Sequence, residues 1–342
     1  MGQKVKLNRV VFELTHACNQ RCKFCYNHWK VTDAPHNTFL KKFDSSKTKK
    51  VLQKIYAQAS VESISFSGGE PMLFPRIHDM VMFARFHKSN VSVLTNGTLL
   101  DDNDLYAFKN LGVERIQIPL LSGDAKIHDI LTGDPGSWEK SARSAQKVLA
   151  MDPDKLSVVL VLTQQNLFDL DQTLWFYSQL GVKSVLVNRF NLGGEGLKHR
   201  AELELSHEEL QSAFSYINDF SGKHDMRFFS GVCTPMCVLD PARYPHIGFS
   251  FCNKKVSERP LTIDAQGDVR FCNHSPTVLG NVLEQPLSDI LENDSKNWYF
   301  NSVPDYCASC KKIKLCGGGC RAASEQVYKT FTKVDPLIER SA

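Results

Sequence analysis

The chain has 342 residues, with 41 Lys+Arg against 37 Asp+Glu, 42% hydrophobic side chains and 23% charged ones. This is too apolar and too balanced for a disordered chain, and a net charge of +4 makes no case for nucleic acid. No window of about 18 uninterrupted apolar residues occurs and the N-terminus has no signal-peptide core, so a cytoplasmic protein without a membrane span is expected.

Short runs rich in Val, Ile and Leu recur along the first two thirds of the chain. They predict strands at Val10–Leu14, Ser63–Ser67, Val91–Thr95, Val113–Leu120, Leu156–Thr163 and Ser184–Phe190, buried on both faces. Segments with helical spacing lie between and after them: Thr48–Ala59, Trp138–Leu149, Leu170–Leu180 and His207–Phe220. Gly112 and Gly181 stand where helices should end. Strand–helix units in a row argue for a parallel sheet, open or closed. Polar, glycine-containing loops follow the strands: Thr15-His16-Ala17-Cys18, Gly68-Gly69-Glu70-Pro71, Thr95-Asn96-Gly97-Thr98, Gln164-Gln165-Asn166 and Asn191–Gly196. In a β/α barrel such loops line the face that holds the chemistry; they are also ordinary turn residues.

The chain has 11 cysteines, an odd number, in two groups with a cysteine-free scaffold between them. Cytosolic thiols stay reduced, so metal ligation explains them better than disulfides. Cys18-x3-Cys22-x2-Cys25 supplies three thiolates on one short loop. Three ligands leave one iron of a cubane cluster open to a small chelating molecule. Zinc would need a fourth ligand, for which His16 or His28 is at hand. Eight more cysteines follow: Cys233, Cys237, Cys252, Cys272, Cys307, Cys310, Cys316 and Cys320. Cys-x2-Cys pairs also make zinc ribbons, so zinc is the rival there as well.

The segment Cys18-Asn19-Gln20-Arg21-Cys22-Lys23-Phe24-Cys25, followed by Gly68-Gly69-Glu70-Pro71 after the second strand, resembles the radical S-adenosylmethionine superfamily. The C-terminal pattern resembles the SPASM extension of that superfamily's peptide-modifying members. It comprises Cys252, a hairpin of Leu261–Asp264 and Val269–Phe271 leading to Cys272, Gly280-Asn281-Val282, and Cys307-x2-Cys310-x5-Cys316-x3-Cys320. The resemblance implies an α/β fold: a partial (β/α)6, TIM-like barrel over residues 1–222, a bridging region and SPASM domain over 223–325, and a C-terminal tail over 326–342.

It also implies three 4Fe–4S clusters, one binding S-adenosylmethionine and two auxiliary. Cys18, Cys22 and Cys25 hold the first; Gly68, Gly69, Glu70 and Pro71 take the methionine amino group, and Phe24 lies near the adenine. One auxiliary cluster uses Cys252, Cys272 and Cys320, and the other Cys307, Cys310 and Cys316. Eight thiolates suit two fully ligated cubanes, so Cys233 and Cys237 complete them in an order the sequence leaves open. Alternatively one of that pair is a free hydrogen-atom donor. Many relatives carry Ser-x-Asp at the fourth strand end, where this chain has Pro119-Leu120-Leu121. Asn96, Asn166 and Arg189 are the fallback nucleoside contacts, with a turn or an ion pair as their plain alternatives.

The function implied is reductive cleavage of S-adenosylmethionine and hydrogen abstraction from an unactivated carbon of a ribosomal precursor peptide, forming a carbon-centred crosslink. Sulfatase maturation, epimerisation and small-molecule oxidation are the alternatives within the family. An iron–sulfur electron carrier or zinc-stapled module is the one outside it. Expected partners are the peptide and a flavodoxin- or ferredoxin-type electron donor, with no nucleic acid and no membrane. About ten residues precede the first expected strand, too few for a winged-helix leader-binding domain. Either a separate protein or the barrel and SPASM surfaces would then hold the leader. His128-Asp129 is an acid–base pair or a polar helix start, and Trp138, Trp298, Tyr299 and Phe300 are read as packing.

Overall fold

A computed structural model describes residues 4–30, 45–252, 258–292 and 302–341; Trp298, Tyr299 and Phe300 lie outside the described residues. The chain divides into two units. One comprises Met1–Asn19, Thr32–Gln117 and Asn253–Asn301, the other Gln20–Val31, Ile118–Cys252 and Ser302–Ala342.

The first unit opens with β1 (Val5–Thr15), which starts five residues before the expected run. It continues through α1 (Ser45–Gln58), β2 (Ala59–Gly68), α2 (Ile77–Phe86), β3 (Asn90–Leu94) and α3 (Asp102–Asn110) to the first residues of β4 (Arg115–Pro119). These strands pair in chain order and in parallel, with Val10 beside Ile64, Ile64 beside Val91, and Val93 beside Ile116. Every one of those side chains is buried. Phe12 and Phe66 meet edge to face at 6.2 Å on neighbouring strands. α1 buries Val51, Leu52, Ile55 and Tyr56, the one-sided spacing read from the sequence. α3 starts in a capping box of Asp101 and Asp104. It buries only Leu105 and Phe108, so its periodicity is weak.

In the second unit come α4 (Ala125–Thr132), α5 (Ser137–Met151), β5 (Leu156–Leu162), α6 (Leu170–Leu180), β6 (Ser184–Arg189), α7 (His207–Lys223), β7 (Arg227–Ser230) and β8 (Ile247–Phe249). β5 to β8 again pair in order and in parallel. α6 ends on Gly181 in the left-handed region at φ 83°, where a side chain is costly. α7 begins at a Ser206–Glu209 capping box. α8 (Arg321–Tyr328) belongs to this unit too. Leu121, Leu131, Phe190, Leu192 and Leu203 form a buried cluster, against which Phe24 packs.

The chain then returns to the first unit with β9 (Pro260–Asp264), β10 (Asp268–Arg270) and β11 (Val278–Asn281). β9 runs parallel to β1, and β9–β10 is the expected hairpin, turning at Gly267 with φ 95°. Among the described residues no helix is long and apolar enough to cross a membrane.

Candidate cofactor sites

All 11 cysteines lie among the described residues, and none is in a disulfide. Cys18 sits half-buried just beyond β1 in the first unit. The backbone there is fixed by the loop that follows β2. Gly69 N–H donates to the Thr15 carbonyl at 2.7 Å and Glu70 N–H to the Ala17 carbonyl at 2.8 Å. A Cβ on Gly69 would stand 2.0 Å from the Ala17 oxygen, and one on Gly68 2.2 Å from the Thr15 oxygen. Glycine is therefore required by backbone-to-backbone approach, not only by a ligand.

Glu70 is buried, and its carboxylate accepts from Met72 N at 3.0 Å, Thr95 Oγ1 at 2.6 Å and Asn96 N at 2.7 Å. It caps the short turn Pro71–Leu73 and joins it to the loop after β3. Asn96 Nδ2 donates to Asn19 Oδ1 at 2.8 Å, and Asn19 Nδ2 donates to Thr98 Oγ1 at 2.7 Å. The loops after β1, β2 and β3 thus form one bonded frame beside Cys18.

His16, a zinc-ligand candidate in the sequence, turns toward carboxylates: its Nε2 is 3.8 Å from Glu13 and 3.7 Å from Asp264. These three residues bring ligand atoms within 4.8 Å of one another. Glu13 is also paired with buried Arg270, whose Nη1 donates to the Ser275 carbonyl. Burial raises the Asp264 carboxyl above its usual range, against the pull of His16. Cys272 follows β10 in the same unit, half-buried.

Cys22 and Cys25 belong to the second unit, both half-buried. Arg21 N–H donates to the Thr132 carbonyl at 3.0 Å and Lys23 N–H to the Leu131 carbonyl at 2.9 Å, pinning this loop to the end of α4. On the far side Gly196 N–H donates to the Cys25 carbonyl. Gln326 of α8 accepts from Gly194 N at 2.7 Å and donates to the Tyr26 carbonyl at 3.0 Å. His28 opens the single turn His28–Lys30.

All three fallback nucleoside contacts are committed within the fold: Asn96 Oδ1 accepts from Thr98 N at 2.9 Å and from Thr98 Oγ1 at 2.7 Å. Asn166 Oδ1 accepts from Thr163 N and Oγ1, and its Nδ2 donates to the Leu121 and Val161 carbonyls, which uses every position of the amide. Arg189 Nη2 lies 2.5 Å from Asp335 Oδ2 in an ion pair whose side chains are 4% and 0% exposed. The same nitrogen donates to the Cys233 carbonyl at 3.1 Å. The turn reading accounts for Asn96 and the ion-pair reading for Arg189. Leu121, in place of a polar residue, is part of the apolar cluster. His128 sits within α4, where its Nδ1 accepts from Leu121 N at 3.1 Å. Burial lowers its pKa to about 4. Asp129 accepts from Gly136 N, Ser137 Oγ and Trp138 N, holding the start of α5. The pair is structural.

Asp335 was not singled out from the sequence. It also accepts from Cys320 N at 2.7 Å and Leu337 N at 3.0 Å. Burial raises its carboxyl pKa, with Arg189 opposing. The signal was available: Phe331, Val334, Leu337 and Ile338 around it are apolar, and all are buried. Asn191 Nδ2 donates to Cys320 Sγ at 3.3 Å. Between Cys316 and Cys320 all three glycines have left-handed φ, at 65°, 85° and 83°.

Burial and the neighbouring Cys316, Cys310 and Cys237 thiols push the Cys307 thiol up to about 11. Desolvation and the neighbouring Cys316 and Cys310 thiols raise Cys237 in turn. Cys233 and Cys252 are half-buried in this unit. Disulfide-free thiols in two sequence groups fit iron–sulfur clusters, since thiolate is the donor such clusters take.

The comparisons agree with this donor set. The radical SAM superfamily model matches residues 12–176, and the SPASM model, an iron–sulfur cluster-binding domain, matches residues 252–312. A PqqA peptide cyclase of Xanthomonas euvesicatoria is 26% identical over 339 residues, covering 97% of this chain and 87% of the relative. One from Ruegeria pomeroyi is 24% identical over 340 residues, covering 96% and 86%. Among solved structures, Streptococcus suis SuiB bound to precursor peptide SuiA aligns with a TM-score of 0.72 at 17% identity, over 97% of this chain and 76% of that one. The enzyme anSMEcpe with bound AdoMet aligns at 0.73 and 17%, over 98% and 94%. These structural likenesses are of fold: the expected α/β class, a partial (β/α)6 barrel with a SPASM domain toward the C-terminus, holds. The cofactors are 4Fe–4S clusters and S-adenosylmethionine. From the bonded frame beside Cys18 and the two family matches together, the chain is an enzyme of the radical SAM superfamily that carries a SPASM domain.

Proposed function

We propose that this enzyme matures a ribosomally made precursor peptide by forming a carbon-centred crosslink within it. The observation that carries the reading is the Gly68-Gly69 backbone packed onto the Thr15–Ala17 loop, which fixes the start of the three-cysteine segment. Support for a peptide substrate comes from relatives named PqqA peptide cyclase, which match 97% of the chain.

In this reading Cys18, Cys22 and Cys25 hold the cluster that binds S-adenosylmethionine. Gly68, Gly69, Glu70 and Pro71 frame the methionine end, and Phe24 lies near the adenine. Asn96, bonded to Asn19 and Thr98, serves this frame. Cys233, Cys237, Cys252, Cys272, Cys307, Cys310, Cys316 and Cys320 hold two auxiliary clusters, for three in all. Bound together, cluster and cosubstrate supply reductive cleavage to methionine and a 5′-deoxyadenosyl radical that takes a hydrogen atom from carbon. The chain's own part is to position them. The loops after β1, β2 and β3 set the cosubstrate by backbone groups that cannot shift. The apolar cluster around Leu121 and Phe190 seats Phe24. Closing one carbon–carbon bond removes two hydrogens from the peptide: one goes to 5′-deoxyadenosine, the other leaves as a proton with its electron passing to an auxiliary cluster. Residues 1–222 form the core, 223–325 the bridging region and SPASM domain, and 326–342 a terminal segment. A flavodoxin- or ferredoxin-type donor supplies the first electron, and a cytoplasmic setting keeps the thiols reduced.

The test is anaerobic turnover. Reduced, reconstituted enzyme with S-adenosylmethionine should release 5′-deoxyadenosine, and a precursor peptide encoded beside the gene should lose two hydrogens by mass spectrometry. Deuterium on the attacked carbon should appear in 5′-deoxyadenosine and not return. Solvent deuterium in a peptide of unchanged composition would show epimerisation instead, and formylglycine would show sulfatase maturation. No 5′-deoxyadenosine under any reductant would sink the radical reading. A pull-down with the leader peptide alone asks whether this chain binds it unaided.

A further inference from the structure

The sequence supplies two upstream cysteines, Cys233 and Cys237, and two incomplete sets of auxiliary ligands. The second unit contains the observations that sort them. Cys237 lies on a short segment whose flanking residues touch the stretch 312–319. Met236 N–H donates to Cys316 Sγ at 3.4 Å. Lys312 Nζ pairs with Asp240 Oδ2 at 2.6 Å. A Cβ on Gly319 would come within 2.7 Å of Pro235 Cγ. On either side of Cys237, then, the chain is seated against the loop that carries Cys310 and Cys316. From this geometry we infer that Cys237 is the fourth thiolate of the cluster held by Cys307, Cys310 and Cys316.

Cys233 is oriented differently, although it is only four residues away. Its carbonyl is held by Arg189, Arg189 by Asp335, and Asp335 by the Cys320 amide. This chain of contacts leads to the other ligand set, so Cys233 falls to the cluster of Cys320. Cys237 lies inside a turn closed by Val238 N–H to the Pro235 carbonyl at 2.9 Å, whereas Cys233 lies before that turn. Cys237 is then a ligand and not a hydrogen-atom donor. The inference rests on the iron–sulfur reading above and adds the ligand assignment to it.

The test counts iron and reads spectra on the full chain, reconstituted anaerobically with ferrous iron and sulfide. Cys307→Ala should lose one cluster, about four of roughly twelve irons. Cys237→Ala should lose the same iron and the same electron paramagnetic resonance signal. The double variant Cys237→Ala/Cys307→Ala should lose no more than either alone, whereas Cys237→Ala/Cys320→Ala should lose about eight irons. Retention of full iron and an unaltered spectrum by Cys237→Ala, or a further loss of about four irons in the double variant with Cys307→Ala, would overturn the assignment. Should Cys237→Ala not fold, thiol alkylation of the Cys307→Ala protein gives a second reading. Cys237 should become reactive while Cys233 stays protected; the reverse would overturn the assignment. Wild-type protein that takes up no iron would refute the cluster reading itself, a different outcome from iron uptake that ignores Cys237.

Discussion

Each unit carries one buried arginine–carboxylate pair next to a cysteine segment, and the two are built differently. In the first unit Glu13 and Arg270 join two strands on either side of β9, β1 and β10, and a second carboxylate, Asp264, stands close by with His16 between. In the second unit Arg189, the last residue of β6, is joined to Asp335 in a loop beyond α8, and backbone amides and a carbonyl complete the shell. A pair between strands adds to a ladder that already fixes both partners. A pair that ties a loop to a strand end is what fixes the loop, so its loss should propagate to the cysteines.

The largest expected effect follows from that contrast. Asp335→Ala leaves a buried guanidinium uncompensated and frees the Cys320 amide; the expected destabilisation is about 3–5 kcal/mol by urea unfolding. Glu13→Gln should cost less, because Asp264 stays nearby. Equal losses from the two substitutions would erase the distinction between strand and loop.

Acid should act with opposite sign through two buried groups, one from each unit. His128 is held neutral with its pKa lowered to about 4 from 6.5. Between those values the unfolded chain binds the extra proton, so stability is present above pH 6.5 and is lost as pH falls toward 4. The amount is about 3 kcal/mol. Asp264 has a raised pKa, so its part runs the other way: the folded state binds the proton more tightly, and stability falls as pH rises from 3.8 through the raised value. Unfolding at several pH values, with His128→Asn flattening the acid limb, checks the sign.

Gly69→Ala sharpens the comparison from the first unit's side. Its Cβ meets backbone, not a flexible side chain, so the expected cost is about 1–3 kcal/mol with loss of iron from the three-cysteine loop and intact iron elsewhere. Smallest of all, Asn191→Leu removes a donor to Cys320 Sγ. A thiolate without that N–H favours the oxidised cluster, so the potential in a redox titration should fall while iron content holds.

Legibility in the sequence tracked how local each cause is. The six buried strands announced themselves as β-branched runs, and Leu170–Leu180 ended where Gly181 required. The hairpin before Cys272 followed from Ala265-Gln266-Gly267. β7 and β8 went unseen because four and three residues give too little alternation to read. Asn166 and Arg189 were offered to a nucleoside because a polar side chain after a strand looks alike whether it faces a ligand or its own backbone. Their partners, Leu121 and Asp335, lie 45 and 146 residues away. The same holds for Cys237: spacing leaves its role open, and only its neighbours in space, around Cys316, support the assignment proposed above.

The glycines between Cys316 and Cys320 carry a consequence for natural variation. Gly317 has open space where a side chain would project, so handedness alone excludes most residues there, and asparagine or aspartate, which tolerate that handedness, should survive in a saturation library. At Gly319 a methyl group would also strike Asp335 and Pro235. That codon should admit no alternative at all, and a neighbouring pair of positions would show permissive and forbidden behaviour two residues apart.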